Sequence, residues 1–356
     1  MKIGISYWGY LEKWEDAKAS ATPDGHRFGR PLMVDELIAR GHEVIALQQR
    51  REETPYPGVT YSNDLPEIDA LLVEWRWITH KNSVHGDVLL GDEPDYLRQK
   101  ELLEHYCGNI PVVIWDMDMK MTIEDEKILD KYDDITIFDP CISPRTVAGM
   151  TRIPYPFFFK PGKKFSWCKH PGYSYTYGYV GNNYERALQF EKYYAFPAGS
   201  LRSIGIQTRV NGNWLQRSKE RFDPSLLIQS YPNVMFGDRL DFKQSMNFLS
   251  SCICTTHIAK DEYSKHGFVT ARYMEAIAAN VPAIVPHEFA YSEILGASSI
   301  ADSTSDLIKK VRIHSEQMIW RSEVVEAQEY ELMKFGNAHG LTFDVVSAVD
   351  QFLDVL

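Results

Sequence analysis

The chain has 356 residues, of which 44% are hydrophobic and 24% are charged, and its net charge is −11 at pH 7. This length allows two domains with separate cores, and the composition is that of a globular protein rather than a disordered one. No apolar run approaches the roughly 18 residues of a transmembrane helix, and the N-terminal residues lack the plan of a signal peptide, so we expect no membrane partner and a cytoplasmic location.

Residues 1–160 alternate short apolar runs with helical patterns. A helix is predicted at PLMVDELIARGHEV, with Pro31 in its first turn and Gly41 at its end. The strand candidates are mostly continuous apolar runs, which are typical of strands buried on both faces. They are KIGISYW, EVIALQ, IDALLVEWRW, PVVIWDMD and DITIFDP. The alternation predicts a Rossmann-like domain with a parallel sheet.

Residues 161–174 break this alternation. They are rich in proline, glycine, lysine and aromatic residues without a regular period, which favours an interdomain linker. A second alternation over residues 175–320 predicts a second Rossmann-like domain, and residues 321–356 have a helical pattern. Two such domains with closing helices match the GT-B architecture of glycosyltransferases. We therefore predict an α/β protein of this class, with an interdomain cleft and with its C-terminal helices packed on the first domain.

The charge is distributed unevenly along the chain. Between Phe157 and Phe222 there are eleven lysine and arginine residues against three glutamates, which gives this segment a net charge of +8. Such a segment is either a solvated basic surface or the wall of a site for an anionic ligand.

The five cysteines are too few and too scattered for a disulfide framework. Cys252, Cys254 and His257, in the segment CICTTH, have ligand types that bind metals. Alternate residues of a strand share one face, however, and small buried cysteines are common there. We therefore expect no metal site.

The segment YVGNNYER has the pattern of a phosphate-binding turn. A strand ends at Gly181, the polar Asn182 and Asn183 follow, and a helix begins with Arg186 in its first turn. Free backbone N–H groups and the helix dipole favour an anion there, and a guanidinium can grip a diphosphate with two hydrogen bonds. The alternative is an ordinary turn with a surface arginine. No G-x-G-x-x-G fingerprint or P-loop lysine is present.

The segment HGFVTARYMEAIAANV reads as an amphipathic helix with a charged pair near its start. Arg272 and Glu275 are three residues apart and lie on one helix face. They form either an internal salt bridge or a site in which Arg272 neutralises the diphosphate of a sugar nucleotide and Glu275 accepts hydrogen bonds from ribose hydroxyls.

These segments resemble those of the bacteriophage DNA β-glucosyltransferases, GT-B enzymes that transfer glucose from UDP-glucose to hydroxymethylcytosine in DNA. GFVTARYMEAIA is similar to the family's segment with arginine and glutamate in the same two places, and YVGNNYER is similar to its diphosphate turn. MKIGI and RGHEVIAL resemble its first strand and the region of its second strand. VVIWDMD resembles the strand that ends in its catalytic aspartate, which falls on Asp116.

The resemblance implies a nucleotide-sugar donor, expected to be UDP-glucose, bound by Gly181, Asn182, Asn183, Arg186, Arg272 and Glu275. It implies Asp116 as the base that deprotonates the acceptor hydroxyl in an inverting displacement, with Asp118 in reserve. The expected acceptor is a hydroxymethylated base in double-stranded DNA. We expect a monomer, in the host cytoplasm if the protein is phage-encoded. The sequence does not decide whether a Mg²⁺ or Mn²⁺ ion binds with the diphosphate, because phosphate oxygens would hold it and the protein would need few ligands of its own.

Other functions also stay open. A GT-B glycosyltransferase acting on a small molecule or a surface glycan would use the same donor chemistry. A Rossmann-type oxidoreductase or sugar-nucleotide epimerase would use similar sheets, although the glycine fingerprint is missing. A nucleotide-sugar sensor would bind the nucleotide sugar without transferring its sugar.

Two other segments contain candidate residues. Asp24, His26 and Arg27 are candidates for the sugar or acceptor side of the site, and Trp75 and Trp77 are either stacking residues or core residues.

Overall fold

A computed structural model of the chain describes residues 1–7, 9–13, 28–50, 54–75, 94–145, 150, 152–164, 175–183, 185–214 and 230–356. The described residues divide into two compact units. Those from Met1 to Lys160 form the first unit together with Leu341 to Leu356, and those from Pro161 to Gly340 belong to the second. The candidates Asp24, His26, Arg27 and Trp77 lie outside the described residues, as do residues 165–174 of the predicted linker.

The described part of the first unit contains a sheet of seven parallel strands: β1 Lys2–Ser6, β2 Glu43–Ala46, β3 Val59–Tyr61, β4 Ala70–Glu74, β5 Val112–Trp115, β6 Ile135–Asp139 and β7 Arg152–Pro154. Their order is β3-β2-β1-β4-β5-β6-β7. Every residue of β4 and β5 is buried, as the continuous apolar runs predicted. The short edge strands β3 and β7 were not predicted, because three residues give no clear pattern. Trp75 is fully buried and is therefore a core residue.

Three described helices follow these strands: α1 Gly29–Ala39, α2 Pro94–Tyr106 and α3 Ile123–Leu129. The prediction of α1 is confirmed, with Pro31 in its first turn and Gly41 at a φ of 82° just beyond its end. α3 begins with a capping box, in which the Thr122 side chain accepts from the Asp125 N–H and the Asp125 carboxylate accepts from the Thr122 N–H.

The second unit is built on six described parallel strands: β8 Thr176–Val180, β9 Gln207–Asn211, β10 Val234–Gly237, β11 Thr255–Thr256, β12 Ala283–Pro286 and β13 Ile300–Ala301. They form two three-stranded sheets, in the orders β10-β9-β8 and β11-β12-β13. A parallel bridge between Tyr177 and Cys254 joins the two sheets side by side. This is the second Rossmann-like unit that the sequence predicted.

The described helices of the second unit are α4 Ala187–Phe190, α5 Phe196–Ser203, α6 Phe242–Ser251, α7 Asp261–His266, α8 Ala271–Ala278, α9 Thr304–Glu316 and α10 Arg321–His339. A π-helical turn, Glu191–Ala195, joins α4 to α5. Its Tyr193 and Tyr194 are fully buried in the core of this unit. None of the helices in the described ranges is long and apolar enough to cross a membrane.

The last helix, α11 Val345–Leu353, belongs to the first unit, where Arg40 of α1 forms an ion pair with Asp350 at 2.5 Å. The prediction placed all of residues 321–356 on the first domain, but α10 belongs to the second unit. The reason lies in its buried polar side chains. The guanidinium of Arg321 donates to the carbonyls of Cys252 and Asn280, and Gln328 donates to the carbonyl of Ala283.

Candidate functional site

The carboxyl ends of β8, β9, β10 and β11 lie at one edge of the second unit, because these strands are parallel neighbours. Gly181, Asn182 and Asn183 follow β8, and His257 follows β11. Open α/β sheets bind ligands outside the carboxyl ends of their strands. We use the term strand-end site for six residues at or shortly after these strand ends: Gly181, Asn182, Asn183, Arg186, Asn211 and His257.

Glycines allow the strand ends to approach one another closely. A Cβ on Gly212, whose φ is 143°, would lie 2.1 Å from the carbonyl oxygen of Gly181. The same carbonyl accepts a hydrogen bond from the indole of Trp214 at 2.7 Å, and the Asn182 side chain accepts from the Asn213 N–H at 2.9 Å. The turn after β8 is therefore held by the turn after β9, and no side chain fits between them.

Several buried polar atoms of the strand-end site lack hydrogen-bond partners in the described structure. Asn183 is 0% exposed, and neither the oxygen nor the nitrogen of its amide is bonded. Three further buried atoms have no hydrogen-bond partner there: Asn211 Nδ2, Arg186 Nε and His257 Nε2. An unsatisfied buried polar group costs about 1–3 kcal/mol, so native proteins rarely leave several together. Their concentration at one edge indicates a site for a polar ligand.

Helix α8 places the predicted charged pair, and its two members contact each other. Arg272 Nη1 donates to Glu275 Oε2 at 2.5 Å, so the salt bridge that the sequence left as an alternative is present. Glu275 is almost fully buried, whereas the side chain of Arg272 is 33% exposed. Thr270 caps the helix by accepting from the Arg272 N–H. The pair uses one nitrogen and one oxygen, which leaves the other polar atoms of both side chains for a ligand.

His257 links the end of β11 to α8. Its ring packs on that of Tyr273 with centroids 4.2 Å apart. Burial, with a smaller contribution from the charge of Arg272, lowers the pKa of His257 to about 3, so the imidazole is neutral at physiological pH. The sequence pattern suggested this histidine only as a metal ligand and did not place it in the strand-end site. Its position directly after a strand, like that of Asn182 after β8, was the available signal.

The two cysteines that precede His257 are core residues. Cys252 and Cys254 are 0% exposed, and burial raises the pKa of the Cys252 thiol to about 12. Within the described ranges, no three His, Cys, Asp or Glu residues are grouped so that they could hold a metal ion.

Asp116 follows β5 in the first unit and is 0% exposed. Its Oδ1 accepts from the N–H groups of Lys120 at 2.7 Å and Met121 at 3.2 Å, and its Oδ2 accepts from Arg145 at 2.6 Å and Arg152 at 3.0 Å. Burial raises the pKa of Asp116, and the two guanidinium groups oppose this effect. Both oxygens are thus occupied and shielded from solvent.

This geometry does not fit the prediction that Asp116 accepts a proton from an acceptor hydroxyl. A general base must come within hydrogen-bond reach of the proton that it removes. Asp118, the reserve, lies two residues further on, with its side chain 29% exposed and its Oδ2 3.6 Å from Lys120 Nζ. Of these two carboxylates, only that of Asp118 reaches the surface of its unit.

No protein-family model matches the sequence, and no curated protein sequence matches it. Solved structures do match its fold. T4 phage BGT in complex with UDP and Mn²⁺ aligns over 100% of this chain and 99% of that one, with a TM-score of 0.62 and 15% identity. An α-glucosyltransferase in complex with UDP-glucose and DNA aligns over 100% and 99%, with a TM-score of 0.57 and 13% identity.

A glycosyltransferase of lipopolysaccharide biosynthesis aligns over 99% of both chains, with a TM-score of 0.54 and 14% identity. At such low identities, the likeness extends to the fold and not to the ligands. Together with the two parallel units, it confirms the predicted fold class: the chain has the GT-B fold of these glycosyltransferases.

Proposed function

We propose that the protein is a glycosyltransferase that binds a nucleotide sugar, expected to be UDP-glucose, at the strand-end site. The observation that carries this proposal is the set of buried, unpartnered polar atoms of Asn183, Asn211, Arg186 and His257 beside the charged pair of α8. A nucleoside diphosphate offers both hydrogen-bond donors and acceptors, together with the negative charge that arginines and helix N-termini attract.

The proposed roles follow from charge and position. Arg186, Arg272 and the backbone N–H groups of Asn182 and Asn183 hold the diphosphate and stabilise the charge that develops on it as it leaves. Gly181 shapes this turn, since its own N–H donates to the Asn211 carbonyl at 3.0 Å. Glu275 accepts hydrogen bonds from the ribose hydroxyls through the oxygen that its ion pair does not use. The ion pair then orients both side chains before the donor binds.

The proposed reaction is an inverting displacement. Asp118 of the first unit, rather than Asp116, takes the proton of an acceptor hydroxyl, and the oxygen attacks the anomeric carbon. The bond from that carbon to the diphosphate breaks, and the nucleoside diphosphate leaves with its electron pair.

The residues proposed to bind the donor offer little to a metal ion. Glu275 is the only one of them that carries a carboxylate, and it is paired with Arg272. A Mg²⁺ or Mn²⁺ ion would therefore be held mainly by phosphate oxygens and water, and it would supply charge neutralisation. We expect UDP-glucose to bind in the presence of EDTA, because two arginines carry out the same neutralisation.

The acceptor we propose is a hydroxymethylated base in double-stranded DNA. The +8 segment between Phe157 and Phe222 supports a polyanionic acceptor, and one solved structure of similar fold is an α-glucosyltransferase in complex with DNA that contains an abasic site. The overall charge of −11 favours the second candidate, a small molecule or glycan. A solved glycosyltransferase of similar fold is involved in avilamycin A biosynthesis. Salt separates the two acceptors, because binding through several phosphates weakens steeply as salt rises, whereas a neutral acceptor is insensitive.

The test is to incubate the protein with UDP-glucose and DNA containing hydroxymethylated pyrimidines, to digest the DNA to nucleosides and to weigh them by mass spectrometry. An increase in the mass of the modified nucleoside by one hexose, absent in Asp118→Asn, supports the proposed donor, the proposed acceptor and Asp118 as the general base. Release of UDP without a modified nucleoside supports UDP-glucose as the donor and rejects DNA as the acceptor. If no nucleotide sugar binds, the proposed function fails.

A further inference from the structure

The turn that carries Asp118 contains a strained residue. Met119 has a φ of 53°, in the left-handed region that non-glycine residues seldom adopt. Such a conformation persists only where the surrounding structure holds it, and it is often found at functional sites. The side chain of Met119 is also buried, with its sulfur 3.4 Å from Cys141 Sγ.

The residues that follow Asp118 in this turn are bonded to Asp116. The Met119 N–H donates to the Asp116 carbonyl at 3.1 Å, which closes the turn on one side. The N–H groups of Lys120 and Met121 donate to the Asp116 carboxylate. The backbone that follows Asp118 is therefore tied to Asp116, through its carbonyl at Met119 and through its buried carboxylate at Lys120 and Met121.

Asp116 is in turn fixed by a buried charged cluster that consists of Asp116, Glu126, Asp139, Arg145 and Arg152. Arg152 donates to Glu126 at 2.5 and 2.8 Å, to Asp139 at 2.8 Å and to Asp116 at 3.0 Å. Arg145, whose side chain is 14% exposed, forms a further ion pair with Asp116. Asp139 belongs to β6, Arg152 to β7 and Glu126 to α3, while Arg145 lies between β6 and β7. The cluster therefore fixes the Asp116 carboxylate relative to three neighbouring elements of the sheet unit.

We propose that Asp116 is a positioning residue: it exchanges no proton with the acceptor, and it holds the strained turn that presents Asp118. The role in transfer rests on the proposed function, whereas the hold on the turn does not. It follows that Asp116→Asn and Asp118→Asn have different consequences, although the two residues are close in sequence and of the same type.

The first experiment measures the turn without reference to activity. Hydrogen–deuterium exchange of the full-length protein is followed by mass spectrometry in peptides that contain residues 117–122. We expect faster exchange at Lys120 and Met121 in Asp116→Asn, and wild-type exchange in Asp118→Asn. Peptides of β1 and β4, which belong to the same unit as Asp116, report whether the variant is folded. Exchange in the turn of a folded Asp116→Asn at the wild-type rate overturns the proposal.

The second experiment measures transfer of glucose as a function of pH. In Asp116→Asn we expect kcat to fall by about 10²-fold, as for a catalytic group that is displaced by about 1 Å, with an unchanged KM for UDP-glucose and an acid limb still present in the pH profile. In Asp118→Asn we expect UDP-glucose binding without transfer above background. If Asp116→Asn abolishes the acid limb and Asp118→Asn retains it, Asp116 is the base and the proposal is wrong.

A further variant covers the case in which Asp116→Asn does not fold. Arg145→Gln removes one donor at the partly exposed rim of the cluster, and we expect it to show the same effects on exchange and kcat to a smaller extent. If it changes neither, the cluster does not position the turn. If the wild-type protein transfers no sugar to any acceptor, the proposed function fails, and the exchange data alone decide whether Asp116 holds the turn.

Discussion

At the scale of single residues, His257 has the clearest consequence for stability. Its pKa falls from 6.5 to about 3 on folding, chiefly through burial. Between these pH values the unfolded chain binds a proton that the folded protein excludes, so this residue makes the free energy of unfolding decrease as the pH is lowered through the window. Above pH 6.5 its contribution is constant.

We therefore expect His257→Gln to flatten the pH dependence of stability below pH 6.5 by up to about 1.4 kcal/mol per pH unit. Denaturant unfolding at a series of pH values measures this slope. Equal slopes in wild type and His257→Gln would contradict the assignment of a neutral, buried imidazole.

The charged pair of α8 is predicted to contribute to donor binding. Glu275→Gln replaces the charged acceptor proposed for the ribose hydroxyls with a neutral amide and removes the ion pair with Arg272, so we expect the Kd for UDP-glucose to rise about 10- to 100-fold, the value of a hydrogen bond to a charged group. Titration calorimetry measures this change. The matched control is Glu316→Gln in α9, whose ion pair with Arg312 is exposed and should affect neither binding nor stability by more than about 0.5 kcal/mol. An unchanged Kd in Glu275→Gln would leave the pair with a structural role.

At the scale of elements, the close approach of the β8 and β9 ends depends on glycine. Gly212→Ala places a methyl group 2.1 Å from a backbone carbonyl that cannot move without disturbing the turn after β8. Gly205→Ala, at a φ of 83° with no atom within 4 Å of the new methyl group, isolates the cost of the backbone conformation. We expect Gly212→Ala to lower the free energy of unfolding by about 1–3 kcal/mol more than Gly205→Ala.

Only Gly212→Ala should also weaken the binding of UDP-glucose, because it alone disturbs the strand-end site. Chemical denaturation and calorimetry of the two variants test both statements. Equal effects of the two substitutions would show that the strand ends adapt to a side chain.

At the scale of the whole molecule, the first unit is completed by a helix from the opposite end of the chain. Phe352 of α11 is fully buried, and the helix packs on α1. We expect Phe352→Ala to destabilise the first unit by about 3–5 kcal/mol, and the control Val346→Ala, which is 47% exposed, to have little effect.

Hydrogen–deuterium exchange locates this effect. In Phe352→Ala, protection should fall in β1 and β2, which are some 300 residues away in sequence, and not in α10, which directly precedes α11. Loss of protection in α10 and β12 instead would mean that the last helix stabilises the second unit.

The sequence by itself determined the features that depend on local patterns. Alternating apolar runs and helical periods are properties of short segments. They were sufficient to predict two Rossmann-like units, helix α1 and the strand ends next to Gly181 and Asp116. The spacing of Arg272 and Glu275 placed them on one helix face. It did not decide between an ion pair and a ligand site, because both need the same spacing.

Only the tertiary structure decided which of these residues are accessible and what they contact. Asp116 is covered because Arg145 and Arg152, distant in sequence, converge on it, and no local pattern distinguishes it from Asp118. Asn211 and His257 join the strand-end site because parallel pairing aligns strands that are far apart along the chain. α10 belongs to the second unit because its buried side chains bond to carbonyls there. Burial and partners are set by such long-range contacts, and therefore by the fold as a whole.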